Sequence, residues 1–153
     1  MTTIAPFEVS VPQSELDDLQ ARLANVRWPD EPDNAGWDYG ANLGYMQKLV
    51  DYWWDGFDWR AAEAKINAFP QFHTPIAAEN GETVDIHFIH EKGSGNQPMP
   101  LLLMHGWPGS IAEFLDVIEP LAHPERFGGD ANDGFDVIAP SLPGYGFSGI
   151  PKT

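Results

Sequence analysis

An α/β architecture, a mostly parallel sheet flanked by helices and preceded by a helical N-terminal portion, is predicted from three observations. Residues 100–104 are almost wholly apolar, as expected of a strand covered on both faces. Ile111, Phe114, Leu115, Ile118 and Leu121 then recur at the spacing of a helix that can cover a sheet. Residues 135–139 read as a second apolar strand, and a strand, helix and strand in this order form a crossover unit, right-handed when the strands are parallel.

Taken in order, a short extended lead-in at residues 7–11 precedes a helix that Pro12 can start, with Leu16, Leu19, Leu23 and Val26 on one stripe. Pro29 ends that region, and Pro29, Pro32, Gly36 and Gly40 punctuate residues 28–40 into a tryptophan-bearing loop. Leu43, Met46, Leu49 or Val50, and Trp53 return to helical spacing, and Asp58 stands where an N-cap would serve a third helix through Ile66. The same spacing makes Trp53 and Trp59 packing residues. Pro70 closes the helical portion. Val84, Ile86 and Phe88 then alternate with Thr83, Asp85 and His87, the period-two pattern of a half-buried strand, and Glu79-Asn80-Gly81 predicts a hairpin with residues 72–77. Lys92-Gly93-Ser94-Gly95-Asn96 is a flexible connection to the buried strand. Two regions result: residues 1–70, a helical extension, and residues 71–153, the first strands and helix of an incomplete sheet domain.

Composition removes several functions. Eight Lys plus Arg stand against 23 Asp plus Glu, a net charge of -15 that repels nucleic acid and anionic lipid and serves solubility. Without cysteine there is no disulfide, thiol nucleophile or Cys-type zinc site. No run approaches the ~18 apolar residues that span a bilayer. The N-terminus lacks a signal peptide pattern, so no membrane role and a cytoplasmic location are expected.

His105-Gly106-Trp107-Pro108, directly after the apolar strand and before a helix, is the strongest chemical signal. Small and rigid residues let the chain turn sharply, so that a backbone N–H can face charge developing on an oxygen. The run matches the HGxP loop of α/β-hydrolases, and Asp136 to Ser148, with Pro140-Ser141-Leu142-Pro143-Gly144-Tyr145-Gly146-Phe147-Ser148 after the strand, looks like the next strand and loop of the same enzymes. The N-terminal third, with Phe7-Glu8-Val9-Ser10-Val11-Pro12, Arg27-Trp28-Pro29 and the Tyr52-Trp53 region, resembles the extension of microsomal-type epoxide hydrolases. The resemblance spans residues 6–149.

That resemblance implies hydrolysis of a small hydrophobic epoxide to a vicinal diol in two steps. An aspartate opens the ring to form an alkyl-enzyme ester, and a His-carboxylate pair activates water to cleave it, without metal or organic cofactor. It also implies that the Trp107 backbone N–H is an oxyanion-hole donor, supported by His105, Gly106, Pro108 and Gly109. The nucleophile, in a Gly-x-Asp-x-Gly elbow on a later strand, and the late catalytic histidine are expected beyond Thr153, so this chain alone is expected to be inactive. Gly128-Gly129-Asp130 is not the elbow, because Asn132 occupies the position of the second Gly and the segment precedes a strand. His73, His87, His90 and His123 receive no catalytic role. At a spacing of three, His87 and His90 point to opposite faces of a strand, which argues against a shared metal site.

In this family the strand at residues 101–104 lies between the Val137 strand and the nucleophile strand, which predicts a bare edge here and contact with a C-terminal catalytic half as partner. Two other readings compete: a stand-alone, non-catalytic module that binds a partner or forms a homo-oligomer, and an esterase on the same fold, distinguished by Ser in place of Asp at the elbow.

Overall fold

The computed structural model describes residues 3–152. Met1 and Thr2, the start of the segment read for a signal peptide, and Thr153 lie outside them. The chain divides into two compact units, Ser10–Ala62 and, separately, the residues up to Val9 with those from Glu63 onward.

The first unit is helical. Helix α1 (Gln13–Ala24) begins after Pro12, which lies just outside the first turn instead of within it. Leu16, Leu19 and Leu23 form its half-buried stripe, whereas Val26 falls past the end. Arg22 pairs with Asp18 one turn earlier at 2.7 Å. Residues 28–41 contain turns but no helix or strand, as the prolines and glycines require. Asn42 then caps α2 (Leu43–Asp51) by accepting the Tyr45 N–H at 2.9 Å. The helix continues as one wide turn, Tyr52–Gly56, before Asp58 caps α3 (Trp59–Asn67) through the Ala61 N–H at 3.1 Å. Trp59 is half-buried, but Trp53, which the spacing made a packing residue, is 45% exposed, as is Leu49 on the same stripe, because neither α2 nor the wide turn has a buried face.

The second unit is built on one sheet of β1 (Ala5–Phe7), β2 (Gln71–Ala77), β3 (Thr83–Glu91), β4 (Met99–Leu102) and β5 (Phe135–Pro140) in the order β1-β2-β3-β5-β4. The expected hairpin is present, with His73 opposite His87 and the turn closed by Ala78 N–H to Glu82 carbonyl at 2.7 Å. Gly81 supplies the positive φ that the turn needs. The lead-in at Phe7 pairs with β2 as an edge strand. Only β4 and β5 are parallel; the other three neighbouring pairs are antiparallel, so this part of the sheet is mixed instead of mostly parallel. The tight hairpin accounts for one of these pairs, since parallel strands need a long crossover.

Two local expectations are corrected. The segment after β4 is not one helix but a 3-10 turn (Ile111–Phe114), a turn, and α4 (Ile118–Ala122). Pro120 has no N–H for the carbonyl four residues back and its ring crowds that carbonyl, so it is accommodated only in a helix's first turn, and the helix restarts at Ile118. Strand β4 is not covered on both faces either: Met99 is 66% and Leu102 58% exposed, because β4 is the edge strand, paired with β5 alone.

The core lies on one face. Ile89, Val137 and Ala139 are fully buried there, with Ile118 and Ala122 of α4 packed against β3 and β5. On the opposite face Ile76, Val84, Ile86, Phe88, Leu102 and Ile138 line an open, wholly apolar groove of about 490 Å³.

Candidate active site

The Leu103 N–H still bonds to the Ile138 carbonyl at 2.9 Å, and the chain then leaves the sheet as the His105–Ser110 turn. The turn closes with Gly109 N–H to Gly106 carbonyl at 2.7 Å. Its exit is fixed by a capping box: Ser110 Oγ accepts the Ala112 N–H at 3.2 Å, and Glu113 reaches back to the Ser110 N–H at 3.1 Å. A Cβ at position 109 would collide with that Glu113 carboxylate and displace it from the Ser110 N–H. The Trp107-Pro108 peptide is cis, and Trp107 is 83% exposed at the apex. Among the described residues nothing accepts the Trp107 backbone N–H, which leaves that donor free.

His105 is 4% exposed and joins the turn to its neighbour. Its Nε2 accepts the Leu142 N–H at 3.1 Å, its Nδ1 faces the Gly106 carbonyl at 3.3 Å, and its ring meets Tyr145 edge-on at 5.5 Å. A backbone N–H can only donate, so Nε2 carries the lone pair and Nδ1 the proton. Both glycine-rich motifs of the sequence thus meet at one end of the sheet.

Beneath them lies a buried polar network around His87, which is fully buried although the period-two pattern assigned it to the polar side. His87 Nδ1 lies 3.0 Å from Ser141 Oγ and Nε2 3.0 Å from Gln71 Oε1. Desolvation, with a smaller contribution from the nearby His73, lowers the His87 pKa to about 4, so the ring is neutral at pH 7. Sequence reasoning missed this group because a histidine counts as polar in a pattern. The available signal was two serines, Ser141 and Ser148, in the loop that follows the strand next to it.

Of the other histidines, His73 lies beside His87, ring to ring at 5.5 Å, and pairs with Asp85 at 2.6 Å. His123 Nε2 faces Glu91 at 2.9 Å, and its Nδ1 faces Ser94 Oγ at 2.7 Å. Asp130 caps a short 3-10 turn through the Asn132 N–H at 2.9 Å, a local role consistent with its rejection as nucleophile. One pattern was passed over in the sequence: Gly36-Trp37-Asp38-Tyr39-Gly40 matches the letters of the Gly-x-Asp-x-Gly elbow. The structure sets it among turns, with Asp38 N–H bonded to Ala35 carbonyl at 3.0 Å, and not between a strand and a helix, so it lacks the geometry that presents a nucleophile.

A family model described as epoxide hydrolase N terminus matches residues 4–114. The chain belongs to the epoxide hydrolase family. A second model, alpha/beta hydrolase fold, matches residues 99–153, the part that carries the turn and the loop after β5. Among members of the epoxide hydrolase family, the chain is 41% identical over 150 residues to epoxide hydrolase 1 of Oryctolagus cuniculus, covering 95% of the chain and 32% of that protein. The juvenile hormone epoxide hydrolase from the silkworm Bombyx mori superimposes with a TM-score of 0.82 at 32% identity, over 100% of this chain and 39% of that one. Aspergillus niger epoxide hydrolase does so with a TM-score of 0.78 at 32% identity, over 97% and 37%. The chain spans about a third of the length of the curated relatives it matches. Among the described residues no helix is long and apolar enough to cross a membrane.

Proposed function

We propose that this chain is the N-terminal third of an epoxide hydrolase, supplying one oxyanion donor to a reaction whose nucleophile, acid and base are carried elsewhere in the polypeptide. In this reading residues 1–70 are the extension and residues 71–153 begin the catalytic domain. The observation that carries it is the free Trp107 N–H at the apex of a turn braced from both sides, by the Ser110 capping box and by His105. The substrate is a small hydrophobic epoxide. A carboxylate opens the ring and forms an ester; water then adds to the ester carbonyl, and the negative charge gathers on its oxygen. A preset N–H aimed at that oxygen stabilises the second transition state without reorganising, and removing one such donor costs about 10²–10³ in rate.

The open groove and the bare edge of β4 support a partner for this sheet in the remaining two thirds of the enzyme, because an exposed apolar face and an unpaired edge both invite association. The test joins this chain to the C-terminal two thirds of the Oryctolagus cuniculus relative in one polypeptide and follows diol formation from an aryl epoxide. Turnover by the joined protein and none by the chain alone is expected. A joined protein that melts cooperatively yet leaves the epoxide intact would contradict the proposal.

A further inference from the structure

Ser141 is 1% exposed, and its hydroxyl belongs to a chain of hydrogen bonds that ends on the candidate oxyanion turn. Direction can be assigned at each link. Gln71 Nε2 donates to the Ile66 carbonyl at 3.3 Å and to Asn67 Oδ1 at 2.9 Å, which turns Gln71 Oε1 toward His87. Asn67 is itself fixed, donating to the Val9 carbonyl at 2.8 Å and accepting the Val9 N–H at 2.9 Å. His87 Nε2 therefore holds the proton and donates to Gln71, and His87 Nδ1 accepts the Ser141 hydroxyl.

The same residues grip the loop after β5 at further points. Ser141 N–H donates to the His87 carbonyl at 2.9 Å, extending the β3–β5 ladder by one residue. His87 N–H donates to Ser148 Oγ at 2.9 Å, and the Ser148 hydroxyl donates to the Ser141 carbonyl at 2.7 Å, closing the two ends of the loop on each other. Gly146, at φ 51°, sits where a Cβ would strike Ser141 Oγ, so the loop's own backbone is shaped around that hydroxyl. The next residue, Leu142, donates to His105 Nε2, and His105 Nδ1 faces the carbonyl that closes the His105–Ser110 turn.

We propose that His87, Ser141 and Ser148 are positioning residues: they set the loop at residues 141–149 so that Leu142 holds His105, and through it the Trp107 N–H, in place. The role of that N–H rests on the proposed function; the coupling itself does not. A buried network with every member satisfied has one arrangement, so its loss is felt as misplacement at the far end. The three residues touch neither substrate nor reacting atoms, and act through His105.

The test reads this chain alone by ¹⁵N NMR. In the unmodified chain the His105 ring is expected as the Nδ1–H tautomer; an Nε2–H ring would overturn the proposal, with no variant involved. In Ser148→Ala, protection of the Leu142 amide against exchange is expected to fall about tenfold, the loss of roughly one hydrogen bond. The Trp107 and Gly109 amide resonances are expected to move, while the β2–β3 amides stay protected. Ser148→Thr, which keeps the hydroxyl, is expected to restore all of these. Trp107 and Gly109 resonances that stay put in a folded Ser148→Ala protein would overturn the coupling. Neither measurement requires turnover, so an inactive joined enzyme would count against the proposed function and leave this inference standing.

Discussion

The two faces of the sheet are made from the same strands and have opposite fates. Ile89, Val137 and Ala139 point to one side and are fully buried beneath α4; Phe88 and Ile138, one residue along, point to the other, are half-buried and line an open groove. Apolar composition is high on both. An all-apolar strand thus states what the strand is suited to, burial on two sides, and the available covering elements decide how much of that is realised.

The largest effect expected from this contrast is on stability. Ile118→Ala, on the covered face, empties a fully buried site and is expected to cost about 2–5 kcal/mol in urea unfolding. Leu102→Ala, on the open face, is expected to cost less than about 1 kcal/mol, since the side chain is already 58% exposed. Equal losses would show that the groove is closed in solution.

Next comes the pH dependence of the covered face, where His87 lies. Its pKa in the folded chain, about 4, is below the ordinary 6.5, so the unfolded chain takes up the proton first as pH falls. This group leaves stability unchanged above about pH 6.5 and lowers it progressively toward pH 4, by roughly 3 kcal/mol in all. His73, paired with Asp85, lies 5.5 Å away ring to ring. Unfolding followed from pH 7 to 4 is expected to be less pH-dependent in His87→Gln than in the unmodified chain; identical slopes would mean that the ring is accessible.

The smallest effect on folding is expected at the groove, with a larger one on association. Met104→Ser, at a position 58% exposed, is expected to change the melting temperature little while lowering hydrophobic-dye binding and self-association. Unchanged dye binding would place the sticky surface elsewhere.

Much of this was legible in the residues. Asp58 before α3, Asn80-Gly81 at the hairpin turn, and the His105–Ser110 run each have a local cause that acts within a few residues, and each stands where expected. The rest depended on what lies across space. Pro120 interrupts the segment from Ile111 to Leu121, a break that apolar spacing alone does not show. His87 was read as polar, and only Gln71 and Ser141, 16 and 54 residues away, make its burial affordable. Gly36 to Gly40 shows the converse, letters of a catalytic elbow without the strand and helix that give them meaning.

The most direct test of the central claim is made on the joined enzyme with Trp107→Pro, which deletes the backbone donor together with the indole, beside Trp107→Phe, which changes the side chain but keeps the donor. Rapid mixing with epoxide and intact-mass detection of the protein are expected to show the ester accumulating in Trp107→Pro, its hydrolysis slowed by about 10²–10³, and turnover within a few-fold of normal in Trp107→Phe. A folded Trp107→Pro protein that clears the ester at the unmodified rate would show that this N–H is not the oxyanion donor.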